Sequence, residues 1–119
     1  MSDASKRLAA GELAKLLTKA KEKADAGVLF VDFYADWCHF CQVASPVIED
    51  LARTYHQVKF LKVDVDEDDE AAMQHGAQSI PTVVIFKNGQ EVDRVVGFPG
   101  KQAYEKMING ALGAKKGLK

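Results

Sequence analysis

Seven consecutive residues, Val28 to Tyr34, show no alternation of apolar and polar side chains. A strand with one wet face alternates. A strand buried on both faces does not, and it belongs in the middle of a sheet covered by helices on both sides. The one acid in this run, Asp32, therefore stands among large apolar side chains. The run leads into Trp37-Cys38-His39-Phe40-Cys41, which holds the only two cysteines of the chain, spaced C-x-x-C. Val43, Val47, Ile48, Leu51 and Tyr55 follow at offsets 0, 4, 5, 8 and 12, a helical pattern. The stretch reads as strand, short turn and helix, with the first cysteine at the helix start.

That placement has a chemical consequence. A helix N-terminus carries unsatisfied N–H donors and about half a positive charge, so a thiolate there is stabilised and reactive near neutral pH. Two plainer readings compete. A structural disulfide closing so short a loop would contribute only about 2 kcal/mol by the chain-entropy estimate. A zinc site would need about two more ligands, and His56 and His75 lack the paired spacing of a zinc finger. The spacing and its setting point to redox chemistry.

Composition agrees with one folded domain spanning residues 1–119. The chain can bury a proper core without disulfide staples, and 47% apolar with 28% charged residues is a globular balance. A net charge of −1 gives no reason to expect nucleic acid or an anionic membrane as partner. No apolar segment resembles a signal peptide or a membrane span, so the expected compartment is the cytoplasm. The alternative is a periplasmic protein whose signal has been removed.

Elsewhere the pattern predicts a first helix over about residues 12–26, with Leu13, Leu16, Leu17, Ala20 and Ala24 on one stripe and Gly27 as its end. Ser5 to Ala9 fits either a weak edge strand or an extra helical turn. The helix from about Cys38 to Tyr55 contains Pro46, which should kink it. Val58 to Val65 reads as a strand, and Glu67 to His75 as a short helix closed by Gly76. Asp64, Asp66 and Asp68 match calcium-loop positions 1, 3 and 5, but Asp69 replaces the glycine and His75 the glutamate, so the run reads as an acidic loop. Ile80-Pro81-Thr82 opens the strand Val83 to Phe86. Asn88-Gly89 is a hairpin turn, and Glu91 to Val96 returns. A last helix carries Tyr104, Met107, Ile108 and Ala111, and the tail 114–119 is expected to fray. His56 and His75 are expected at the surface without a role. The order of elements implies an α/β fold with a mixed sheet of four to five strands and helices on both faces.

From about Leu13 to Leu112 the chain resembles a thioredoxin. Val31-Asp32-Phe33-Tyr34-Ala35-Asp36-Trp37-Cys38 is similar to the family's active-site strand and turn, and Cys41 to Pro46 to the start of its kinked helix. Ile80-Pro81-Thr82 resembles its cis-proline segment, and Lys87-Asn88-Gly89 with Gly97 its hairpin and the glycine after it. Three features depart from the pattern: His39-Phe40 where Gly-Pro is typical, Tyr34 where many members have tryptophan, and a weak N-terminal strand. Tyr34-Ala35-Asp36-Trp37-Cys38 is also similar to the C-terminal thioredoxin-like domain of the bacterial membrane disulfide reductase.

The expected activity is thiol–disulfide exchange with protein disulfides, which needs an attacking thiolate and a second thiol within reach. Cys38, at an exposed helix start, is the expected nucleophile, and Cys41, buried one turn further in, the resolving thiol. Asp32 is the candidate base for Cys41, because burial raises a carboxyl pKa toward neutrality. The resemblance offers Lys62 as its charged neighbour. It also implies a cis Ile80–Pro81 bond facing the cysteines, and a substrate-contacting rim of Trp37, His39, Phe40, Ile80, Pro81 and Gly97, joined by Phe98. It implies no cofactor beyond the Cys38–Cys41 pair, a thioredoxin reductase or other thiol donor as partner, and a monomer. The alternatives are a disulfide isomerase or oxidant of an oxidising compartment, and a binding module on the same fold with little redox turnover.

Overall fold

The computed structural model describes residues 4–23 and 27–113. Their elements are β1 (Lys6–Arg7), α1 (Glu12–Glu22), β2 (Val28–Tyr34), α2 (His39–Thr54), β3 (Val58–Asp64), α3 (Asp69–Gln74), β4 (Thr82–Lys87), β5 (Gln90–Val96) and α4 (Lys101–Leu112). The five strands form one mixed sheet in the order β1-β3-β2-β4-β5. β2 lies at its centre, parallel to β3 and antiparallel to β4. All seven β2 residues are buried, as its unbroken apolar run demands. Side chains alternate across a strand, so Leu29, Val31 and Phe33 face one core with α1 and α3, while Val28 and Phe30 face the other with α2 and α4.

The ambiguous N-terminal segment is a two-residue strand, Lys6 and Arg7 pairing with Leu61 and Lys62 of β3. Glu49 of α2 fastens the residues before it. Its carboxylate accepts the N–H groups of Ala4 and Ser5 at 2.7 and 2.9 Å, and the Ser5 hydroxyl. A segment too short to hold itself by sheet pairing is thus tied to a helix by charge-assisted hydrogen bonds.

α1 is shorter than its stripe implies. Lys23 is already extended, at φ −104° and ψ 116°. Leu13, Leu17 and Ala20 are the buried helix residues, with Leu16 packed half-buried against the same core, and no large apolar side chain follows Ala20 in the helix. Ala24 and the tail 114–119 lie outside the described residues. α2 continues through Pro46. Two further expectations need correction. Val43, counted on the buried stripe of α2, is exposed. His75 is not a surface residue: it is half-buried between Phe33 and Phe86, with ring centroids 5.9 and 5.3 Å away. Burial lowers its pKa, and the Arg94 guanidinium donates to its carbonyl at 2.6 Å. His75 is the C-cap of α3, so the end of that helix is packed against two core rings of the sheet.

The β4–β5 hairpin turns through Asn88 and Gly89, both at positive φ. A Cβ on Gly89 would lie 2.8 Å from the Leu17 carbonyl oxygen and 2.8 Å from the Lys21 nitrogen, so the glycine also permits the turn to rest on α1. Among the described residues no helix is long and apolar enough to cross a membrane.

Candidate functional site

The two cysteines sit where β2 hands the chain to α2. Cys38 is the N-cap, extended at φ −88° and ψ 116°, and its Sγ accepts the N–H of Cys41 at 3.1 Å. The sulfur thus occupies the position a serine or aspartate oxygen takes at an ordinary cap, against the positive end of a sixteen-residue helix. Cys38 and Cys41 form a disulfide with Cα atoms 5.2 Å apart.

Exposure does not separate the two thiols as expected. Cys38 is 7% and Cys41 6% accessible, because Tyr34, Ala35, Val65 and Ile80 pack around the cystine. Their surroundings do separate them. Cys38 Sγ lies 3.8 Å from the Ile80 carbonyl oxygen, on the side of the cis Ile80–Pro81 bond. Cys41 opens instead on a cleft of about 280 Å³ lined also by Asp32, Tyr34, Asp36, Gln42, Ser45 and Lys62.

Asp32 is buried, and its Oδ1 has no hydrogen-bond partner. Loss of hydration pushes its pKa up to about 7; Lys62 pulls against that shift and Glu49 adds to it. Lys62 stands in register with Asp32 on the adjacent parallel strand. The cleft therefore brings Cys41 together with a carboxyl whose pKa is raised toward neutrality and with the Lys62 cation. Cys41, Asp32 and Lys62, expected together from the sequence and the resemblance, thus line one cleft.

The residues expected at a substrate-contacting rim differ in exposure. Trp37 is 70% and Phe40 61% exposed, which excludes a core role for either. The exposed His39 ring meets Phe40 edge-on at 5.2 Å. Ile80 is half-buried against the cystine, and Gly97 donates its N–H to the Pro81 carbonyl at 2.7 Å, which ties β5 to the cis-proline turn. Phe98 is likewise half-buried and packs on Tyr104, with centroids 5.7 Å apart. Val43 extends the apolar surface one turn along α2 from Phe40. His56 is exposed on the loop after α2.

Three contributors were missed in the sequence. Asp66 accepts the Trp37 indole N–H at 2.7 Å and orients an otherwise exposed ring. It was hidden in an acidic run whose composition says only that it is solvated. Glu49 is a buried carboxylate that acts electrostatically on Asp32, although its place in a helical wheel looks ordinary. Tyr34 lines the Cys41 cleft, and its departure from the tryptophan of many family members was the signal that marked the position. Among the described residues, no group of three or more His, Cys, Asp or Glu is gathered as a metal would require.

Comparison with known proteins agrees with this geometry. The thioredoxin family profile matches residues 11–110. A thioredoxin of Staphylococcus aureus (strain Mu50 / ATCC 700699) is 43% identical over 88 residues, 73% of this chain and 85% of that protein. The crystal structure of the thioredoxin NaTrxh from Nicotiana alata superposes with a TM-score of 0.80 at 35% identity, over 93% of this chain and 96% of that one. The thioredoxin of Fasciola hepatica superposes at 0.79 with 34% identity, over 89% and 98% of the two chains.

Proposed function

The chain belongs to the thioredoxin family and is a thiol–disulfide oxidoreductase, and we propose that Cys38 and Cys41 divide its reaction between them. In the reduced protein the Cys38 thiolate attacks one sulfur of a substrate disulfide. That S–S bond breaks, a mixed disulfide forms through Cys38, and the departing substrate sulfur takes a proton. Cys41 then gives its proton to the Asp32 carboxylate and attacks Cys38 Sγ. The mixed disulfide breaks, the second substrate sulfur leaves as a thiolate that takes a proton from water, and the Cys38–Cys41 disulfide remains while Asp32 holds the Cys41 proton. Two electrons have passed to the substrate. The observation that carries this division is the asymmetry of surroundings: Cys38 Sγ caps the helix beside Ile80, while Cys41 lines the cleft of Asp32.

Substrates on this reading are protein disulfides, received by the Trp37, His39, Phe40, Val43 and Ile80 surface beside Pro81 and Gly97. The pair itself carries the electrons, so no further cofactor enters the cycle, and a thioredoxin reductase or another dithiol donor returns the pair to its reduced form. We place this work in one monomeric domain in the cytoplasm, where thiols are kept reduced. Insulin reduction is the direct test. The protein should accelerate precipitation of the insulin B chain well beyond dithiothreitol alone; no acceleration would leave only a binding module on this fold.

His39 favours weighing a second reading, an oxidant or isomerase. It follows the N-cap in the first turn of α2, and as imidazolium it would add positive charge beside the Cys38 thiolate. Stabilising the thiolate favours the reduced form over the disulfide. His39→Gly should therefore raise the Cys38 pKa and make the potential of the couple more negative. A shift of about 30 mV corresponds to a tenfold change in the equilibrium. Equilibration of both proteins in one glutathione buffer measures it. An unchanged potential would assign His39 to substrate contact instead.

A further inference from the structure

Tyr34 ends β2 two residues after Asp32, so both side chains leave the same face of the strand. On that face Lys62 of β3 stands in register with Asp32, and Arg7 of β1 stands in register with Lys62. An acid and two cations thus form a row across the sheet. The Arg7 guanidinium is engaged by Asp64 at 3.2 Å and Glu67 at 3.1 Å. Lys62 Nζ stands over the Tyr34 ring, 5.1 Å from its centroid, inside the range in which an aromatic face attracts a cation. Asp32, Tyr34, Cys41 and Lys62 all line the same cleft. Lysine carries a point charge on a flexible four-carbon stem, so where that charge rests depends on what seats it.

We propose that Tyr34 is the positioning residue for Lys62: the face of its ring seats the ammonium beside Asp32, and so governs how readily Asp32 takes the proton of Cys41. This rests on the reading of Asp32 as the Cys41 base. It gives a task to the position at which the chain departs from tryptophan, and the task needs an aromatic face rather than a hydroxyl. Other charges act on the same groups. Glu49 of α2 acts on Asp32, Asp32 acts in turn on Tyr104 of α4, and Arg7, Asp64 and Asp36 act on Tyr34. The test must isolate Lys62 from them.

The Asp32 carboxyl is titrated by carbon NMR in the reduced full-length protein, and release of a Cys38 mixed disulfide is timed across the same pH range. Tyr34→Phe keeps the ring and should leave the Asp32 midpoint in place. Tyr34→Leu should move it up by about half a unit, a threefold change in proton affinity, because the cation that holds it down loses the ring face that fixes its position. Lys62→Met should also move it up, and adding Tyr34→Leu to Lys62→Met should then raise it no further. A downward shift in Tyr34→Leu would mean that the ring only keeps water out, and an equal upward shift on the Lys62→Met background would mean that it acts without Lys62. Either result overturns the proposal. The wild-type protein supplies a check that needs no variant: the Lys62 ε-methylene protons should be shifted upfield by the Tyr34 ring, and unshifted protons overturn the proposal as well. If the midpoints move as expected while the pH–rate profile stays still, Tyr34 does place Lys62, and it is the assignment of Asp32 as base that falls.

Discussion

Cys41→Ser should accumulate mixed disulfides with substrate proteins through Cys38, Cys38→Ser should form none, and both should lose insulin turnover down to the dithiothreitol background. The two residues are equally buried in the oxidised protein, so the asymmetry must come from electrostatics and access once the pair is reduced. Cys38 Sγ already accepts a helix N–H, and in the thiolate that bond becomes charge-assisted. Cys41 lies one turn into α2 and faces a carboxyl whose negative form disfavours a neighbouring thiolate. Alkylation of the reduced protein at pH 7 with peptide mapping reads this directly. Cys38 should label first; preferential labelling of Cys41 would reverse the assignment.

Asp32→Asn should slow release of the mixed disulfide while making the protein more stable at alkaline pH. Loss of a general base typically costs about 10²–10⁴-fold in the step it serves. The stability gain follows from proton linkage. The folded-state pKa of Asp32 is raised to about 7, against about 3.9 for an aspartate in an unfolded chain. Between those values the folded state binds more protons than the unfolded one. This residue's contribution is therefore fully present below about pH 4 and is lost as pH rises through about 7. Three units correspond to about 4 kcal/mol as an upper scale. Asparagine is never ionised, so the variant should match the wild type near pH 4.5 and exceed it by about 2–4 kcal/mol at pH 8.5. Urea melts at the two pH values decide it. A large loss of stability at both would make Asp32 a structural acid whose role is to anchor Lys62.

Both predictions concern residues that are legible in the chain for local physical reasons. Period-two and period-3.6 patterns report which faces are buried, so β2, α2, α4 and the two-sided layering could be read directly. The C-x-x-C spacing placed one sulfur at a helix start, since the turn it spans is local. Asp32 stood out because ionised carboxylates are costly among apolar side chains. Asn88-Gly89 marked its hairpin because few residue pairs tolerate that backbone.

The misses were those in which distant segments meet. Glu49 and Ser5 are 44 positions apart, and Trp37 and Asp66 are 29 apart. Neither bond alters a local pattern. His75 looked like an exposed polar residue until the fold set its ring between Phe33 and Phe86. The two-residue β1 exists because β3 offers it an edge and Glu49 holds the residues before it; its own sequence favours neither strand nor helix. The buried Cys38 has the same origin, because Tyr34, Val65 and Ile80 reach it from three separate segments. By itself the sequence determined the periodic elements, the reactive pair and the anomalous acid, since each is expressed in neighbours a few residues apart. The surroundings of that pair, and the charges that tune the acid, were decided only when the parallel register of β2 and β3 set Lys62 beside Asp32 and α2 brought Glu49 to bear on the same carboxyl. Electrostatic coupling depends on distance through space, and separation along the chain does not reveal it.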